Sequence, residues 1–229
     1  MAATRLAVKP IDAHTSFRSQ AYRKLKDAIT ALNVYGQPEE VRLDERRLSQ
    51  ELGVSRTPIR EAVSLLEREG LVKTLPRRGI IVLRKTKQEI VAMIRVWAAL
   101  ESMAARLATL HASDAEIAGL RRLFDQFRDE SPSGHLDEYS HANIKFHQAI
   151  IKLAGNAVLE EMTDNLFVHM RAIRQATIGQ NNRAQRSIVD HLNIIEALER
   201  RDTERAASLA LKHTLDLATH VEKHVDYLD

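Results

Sequence analysis

The chain has 229 residues, a formal net charge of +3 and no cysteine. Disulfides and thiolate metal sites are therefore excluded, and no run of about 18 apolar residues offers a membrane-spanning helix. The first ten residues hold too short an apolar stretch for a secretory signal, so the cytoplasm is the expected location.

The charge is unevenly spread. Residues 1–85 carry 17 Lys and Arg against 10 Asp and Glu, a net of +7, whereas residues 86–229 carry 17 against 21, a net of −4. A basic first third suits a polyanionic partner, and the acidic remainder suits a different task.

In chain order, residues 1–20 lack sustained periodicity and read as an arm. Tyr22, Leu25, Ile29 and Leu32 form one stripe of a helix running from about Ala21 to Leu32, and Gly36-Gln37-Pro38 breaks it. Asp44 is placed to cap a short helix carrying Leu48 and Leu52, with Gly53 ending it in the left-handed conformation. A second helix follows at once, from about Arg56 to Glu69, stopped by Gly70. Leu71–Leu75 and Ile80–Leu83 are β-prone runs around Pro76-Arg77-Arg78-Gly79, which predicts a hairpin.

The character changes after Lys85. Thr86-Lys87-Gln88-Glu89 has the form of a capping box. From there the pattern is helical, with breaks expected at His111–Ser113, Glu130–Gly134, Ala154–Asn156, Ile178–Asn182 and Arg201–Asp202, giving about six helices. The expected organisation is an arm at 1–20, a winged helix-turn-helix at 21–84, a linker at 85–88 and an all-helical unit at 89–229. The fold class is mainly α, with three helices and a β-hairpin first and an antiparallel all-α bundle second.

Two helices joined through Gly53 with a short turn meet the requirement of a helix-turn-helix. With Ser55 as N-cap, Pro58 falls in the first turn, where its missing N–H leaves no bond unmade. Ile59, Val63 and Leu66 then face inward, while Arg56 and Arg60, four apart, project together near the helix N-terminus. That end of a recognition helix meets base edges, and arginine suits a bidentate hold on guanine. Thr57 and the Ser55 hydroxyl are placed to reach phosphates. An ordinary helical corner with solvated arginines shares these features, but the basic hairpin tip adds a wing suited to a minor groove.

The run from Leu43 to Ser49, the run Val54-Ser55-Arg56-Thr57-Pro58-Ile59-Arg60-Glu61-Ala62, and Gly70-Leu71-Val72 with Pro76-Arg77-Arg78-Gly79 closely resemble the GntR family of bacterial regulators. The resemblance implies DNA contacts from Arg46, Arg56, Thr57 and Arg60 on the helices and from Arg78 and Gly79 on the wing. One departure is a connection, Thr30–Val41, that is a few residues longer than usual.

In the helical part, Asn143 and His147 stand four apart on one helical face, and His191 and His213 follow on two further helices. Three imidazoles and one oxygen ligand suit a divalent metal inside a bundle, although spacing alone equally fits packed or solvated histidines. The phrases around Leu100-Glu101, Asn143…Phe146-His147, Ala154-Gly155-Asn156 and His191…His213 resemble the FadR-type effector domain, called FCD. That resemblance implies a metal, zinc or nickel, held by Asn143, His147, His191 and His213, which helps bind a small organic acid. It further implies a homodimer on a near-palindromic operator, most often as a repressor.

Two positions depart from the family's pattern. Asn143 stands at the acidic ligand position and brings no charge. Trp97 stands where the family often has an arginine, so an effector carboxylate needs another cation, Arg171 or Arg174, or the ligand is more apolar. His169 is a further candidate for the pocket. Two other readings stay open on the same residues: a metal-dependent hydrolase-like enzyme, for which no nucleophile motif is present, and a DNA-binding protein whose helical part only dimerises.

Overall fold

A computed structural model describes residues 16–32, 34–35, 40–127 and 134–226. Its elements in chain order are α1 (Phe17–Ala31), β1 (Arg42–Leu43), α2 (Glu45–Leu52), α3 (Arg56–Arg68), β2 (Val72–Leu75), β3 (Gly79–Val82), α4 (Lys87–His111), α5 (Asp114–Arg122), a 3-10 turn (Asp125–Phe127), α6 (Leu136–Leu153), α7 (Ala157–Thr177), α8 (Arg183–Glu199) and α9 (Thr203–His224). Contacts divide the chain into two units. The first holds Met1–Ala28 and Arg42–Val82, and the second holds Ile29–Val41 and Leu83–Asp229. The described residues of the longer connection at Thr30–Val41 fall with the second unit. Residues 1–15 of the expected arm lie outside the described residues, and from Phe17 the chain is already helical.

The first unit is three helices and a small antiparallel sheet of order β1-β3-β2. β2 and β3 form the expected hairpin, with Val72 opposite Val82 and Leu75 opposite Gly79. Ala21, Leu25, Ile59, Ala62, Val63, Leu66, Leu71, Val72, Ile80 and Val82 are buried in its core. The inward residues of α3 are those its period predicts. Asp44 caps α2, accepting from the Arg47 N–H at 2.7 Å, and Gly53 ends it at φ 65°. A residue with a Cβ meets steric conflict in that left-handed region, which is why glycine suits a tight turn between two helices. Glu67 on α3 accepts from the Thr74 N–H at 2.7 Å, fixing the hairpin to the helix. Tyr22 and Lys26 on α1 both reach Glu69 at the end of α3.

The second unit contains the six expected helices, α4 to α9, and the 3-10 turn. Four of these helices, α4, α5, α7 and α9, start at residues whose side chains cap them. The Thr86–Glu89 capping box starts α4 and a Ser113–Glu116 box starts α5. Asn156 and Asp202 cap α7 and α9 through their side chains. The ion pairs Arg95–Glu222 and Arg106–Glu204 show α4 and α9 running antiparallel along most of their length. The connector is anchored to this unit by the buried Tyr35, whose hydroxyl lies 2.7 Å from His169 Nδ1.

Candidate functional site

In the first unit, every residue expected at DNA is exposed: Arg46, Ser55, Arg56, Thr57, Arg60, Arg78 and Gly79. Ser55 occupies the N-cap position of α3, yet its side chain makes no capping hydrogen bond. The first N–H groups of α3 therefore have no cap from the Ser55 side chain, and such uncapped groups are what a phosphate site uses. Arg56 has no hydrogen bond or ion pair among the described residues, whereas Arg60 donates from Nε to Glu45 Oε2 at 2.7 Å. At the wing tip, Arg78 N–H donates to the Leu75 carbonyl at 3.1 Å, and Arg77 takes φ 62° between them. A non-glycine residue in that region is uncommon and costs roughly 1–2 kcal/mol. The turn so formed leaves Arg77, Arg78 and Gly79 exposed together.

In the second unit, α6, α8 and α9 bring His147, His191 and His213 together, all three buried, with one ligand atom of each within 4.8 Å of the others. Asn143, one turn before His147, places its Oδ1 3.2 Å from His147 Nε2. His191 Nε2 and His213 Nε2 lie 3.1 Å apart. All four residues expected at a metal therefore meet at one place.

The opposite ring nitrogens are each held by another group. His147 Nδ1 is in short contact with Glu101 Oε1 on α4. His213 Nδ1 lies 3.1 Å from Asp190 Oδ2, and His191 Nδ1 lies 3.3 Å from the Tyr139 hydroxyl. Carboxylates at Nδ1 hold the ring proton there and leave Nε2 with its lone pair, the form that ligates a metal. Phe124 stacks on His191 with centroids 5.0 Å apart, fixing that ring's plane.

The donor set fits a cation. A neutral imidazole has one N–H, but His147 faces acceptor oxygens at both nitrogens, Glu101 Oε1 and Asn143 Oδ1. A cation held by His147 and Asn143 would resolve this conflict. Burial, with Arg174 nearby, holds the His147 pKa well below the usual imidazole value, and burial with the neighbouring histidines does the same for His191. Both rings are neutral at pH 7, as metal ligation requires.

Glu101 is 1% exposed and saturated with donors. Thr214 donates to its Oε2 at 2.6 Å, Trp97 Nε1 donates to the same oxygen at 3.1 Å, and Arg174 Nη2 stands 3.8 Å away. Burial raises its pKa, while Arg174 and these hydrogen bonds oppose the rise. Trp97 is thus a buried donor to the carboxylate that orients His147. Arg174 also donates to Thr214 at 3.2 Å and so belongs to the same network. His169 is engaged with Tyr35 instead, and among the described residues no hydrogen bond or ring contact joins it or Arg171 to the three histidines.

Sequence reasoning missed Asp190, Tyr139 and Thr214 and undervalued Glu101. The signals for Glu101 were its part in the FCD resemblance and its place one turn after Trp97. Asp190 gave none, because it neighbours His191 in the chain but serves His213.

Beside the histidines, a cleft of about 620 Å³ lies between α8 and α9, lined by residues that include Arg183, Arg186, Ser187, Asp190, His213 and Lys223. The Ser187 hydroxyl lies 3.5 Å from His191 Nε2, so the cleft floor abuts the histidine cluster.

An exposed, uncapped second helix of a helix-turn-helix with a basic wing, followed by a helical unit enclosing three histidines beside a cleft, defines the general class: a DNA-binding regulator. Comparison with known proteins gives the family. Residues 17–82 match the model for bacterial regulatory proteins of the gntR family, and residues 92–216 match the FCD domain. The chain is 28% identical over 216 residues to the HTH-type transcriptional regulator YdhC of Bacillus subtilis, covering 94% of this chain and 95% of that one. It is 25% identical over 205 residues to the HTH-type transcriptional repressor RspR of Escherichia coli, covering 89% and 88%. Among solved structures, E. coli McbR/YncC superposes with a TM-score of 0.75 at 22% identity, covering 93% of this chain and all of that one. The chain belongs to the GntR family of bacterial regulators and carries an FCD domain. Its role is regulation of transcription through DNA binding, and the family's members are not enzymes. Among the described residues no helix is long and apolar enough to cross a membrane.

Proposed function

We propose that the chain is a metabolite-responsive repressor of the FadR subfamily, acting in the cytoplasm as a homodimer. Two winged heads hold a near-palindromic operator. Arg56 and Arg60 read base edges, Arg46, Ser55 and Thr57 hold phosphates, and Arg78 and Gly79 approach the minor groove. Asn143, His147, His191 and His213 hold a divalent metal, zinc or nickel, to which an imidazole-rich set is suited. When bound, the ion supplies a fixed positive charge for the carboxylate of a small organic acid. Glu101, Asp190 and Tyr139 orient the imidazoles, and the acid shifts operator affinity by as much as it discriminates between the two arrangements of the dimer.

The observation that carries this reading is the orientation of the histidines, each with Nδ1 held from behind and Nε2 turned to a common point. The homodimer is supported by α4, where Val96, Met103 and Leu110, spaced by seven, are 52%, 47% and 63% exposed. Large apolar residues repeated every seven on one helix face form a seam that a second helix covers. The repressor reading is supported by the name of the E. coli relative.

The test is metal analysis of the purified protein combined with operator binding by fluorescence anisotropy, on DNA selected in vitro. The proposal expects one divalent ion per chain, its loss in His147→Ala and His191→Ala, and operator affinity that responds to an organic acid only when the ion is present. A chain that takes up no ion, or an operator affinity indifferent to every acid tested, overturns it.

A further inference from the structure

The chain crosses between the two units after Ala28, after Val41 and after Val82. Between the first two crossings lies the connection whose length departs from the family's usual one, and the proposed function gives it no task. Its described part is buried: Val34 and Tyr35 are each 3% exposed, as is Ile29 near the end of α1. Tyr35 brings the polar group. Its hydroxyl lies 2.7 Å from His169 Nδ1 on α7. The main-chain N–H of Lys85, just beyond the third crossing, donates to the same hydroxyl. One oxygen thus joins the connection, the segment after β3, and α7.

The bond to His169 has a defined sense. Burial raises the Tyr35 pKa and lowers that of His169 to about 4, so the phenol keeps its proton and the imidazole is neutral. With its oxygen accepting from Lys85, the hydroxyl donates to Nδ1, and the imidazole proton sits on Nε2. That Nε2 is buried and has no hydrogen-bond partner. A buried donor without an acceptor is destabilising, so this clasp opens more readily than a fully satisfied one.

The same helix reaches the histidine network. Arg174 on α7 stands 3.8 Å from Glu101 and donates to Thr214. His169 and Arg174 belong to one continuous helix, so a shift of α7 at the network is carried to the clasp.

We infer that Tyr35 is a positioning residue for operator binding: its hydroxyl, held by His169 and Lys85, fixes the chain segments that lead into the DNA-binding unit. The inference rests on the proposed function for a dimer that places two heads on two half-sites. Heads on fixed segments meet the second half-site at a high effective concentration, and loosened segments dilute it. A single half-site engages one head and is indifferent to the other.

The test uses the full chain, operator DNA selected in vitro, and a duplex carrying one half-site. Tyr35→Phe removes the hydroxyl alone. His169→Leu removes the acceptor, and His169→Asn keeps one near the Nδ1 position. Fluorescence anisotropy should show full-operator affinity weakened at least about fivefold in Tyr35→Phe and His169→Leu, with half-site affinity within roughly twofold of wild type. His169→Asn should lie closer to wild type than His169→Leu. Limited trypsin digestion should cleave after Arg84 and Lys85 faster in the two weakened variants. Full-operator affinity unchanged in Tyr35→Phe overturns the inference, as do full and half sites weakened alike, which is the mark of a merely destabilised fold. Unchanged tryptic rates overturn it as well. A wild type that binds the full operator no tighter than the half-site overturns the two-headed reading instead, and the tryptic rates then still decide whether Tyr35 fixes the segments.

Discussion

Asp190 immediately precedes His191, yet its carboxylate lies 3.1 Å from Nδ1 of His213 on the neighbouring helix. One short stretch of α8 thus supplies a ligand candidate and the group that orients a different ligand candidate. Asp190→Asn and Glu101→Gln should each weaken zinc affinity by roughly 10–100-fold, the usual effect of losing such a partner. Competition with a chromophoric chelator measures this. Unchanged affinity in both variants would show that the carboxylates only fill space.

Asn143→Asp should raise metal affinity, because a buried carboxylate replaces a neutral amide 3.2 Å from His147 Nε2. In the metal-free protein the same change should raise the His147 pKa, since an opposite charge favours the imidazolium. NMR titration of the ring protons checks the second effect and the chelator assay the first.

Stability should fall on acidification through the buried histidines. Burial lowers the His169 pKa to about 4, with Lys85 contributing, while the unfolded chain titrates near the ordinary 6.5. A depressed histidine binds its proton more weakly when folded. Its contribution is therefore complete above pH 6.5 and is lost as pH falls toward 4. His169→Gln should flatten the slope of unfolding free energy in that window by up to about 1.4 kcal/mol per pH unit, one proton's worth. Urea unfolding at pH 7.5, 6 and 5 measures it, and an unaltered slope would remove His169 from the account.

How much of this was legible beforehand depended on whether the cause was local. The break at Ser113 and the capping box at Thr86 are written in adjacent residues, and both appear where expected. The inward face of α3 follows from its period alone. The four residues around the metal position came from the family resemblance, since spacing on three separate helices does not specify that they meet. Asp190 was illegible because its role depends on α9, which begins far along the chain. Ser55 shows the reverse case, where a good capping residue at the capping position leaves its hydroxyl unused.

On DNA, Arg56→Ala should cost about 1–3 kcal/mol of base discrimination, whereas Arg46→Ala should weaken binding uniformly and flatten its salt dependence. Arg60 must leave Glu45 to reach a base edge. Glu45→Gln should therefore tighten DNA binding slightly, by at most about 1 kcal/mol, the worth of an exposed ion pair. Competition anisotropy at two salt concentrations distinguishes these outcomes, and weaker binding in Glu45→Gln would assign the pair a positioning role.

The exposed seam on α4 predicts that Met103→Glu separates the dimer into monomers without unfolding either unit, because Met103 is 47% exposed and leaves no cavity. Sedimentation velocity with circular dichroism on the same sample checks both halves of that statement.

The central claim, a dimer whose histidine clusters hold metal, is tested most directly by native mass spectrometry of the purified full chain after loading with zinc. The account predicts a mass of two chains with two divalent ions, falling to two ion-free chains in a His147→Ala/His191→Ala variant. A monomer, or a dimer that retains no ion after loading, would contradict it.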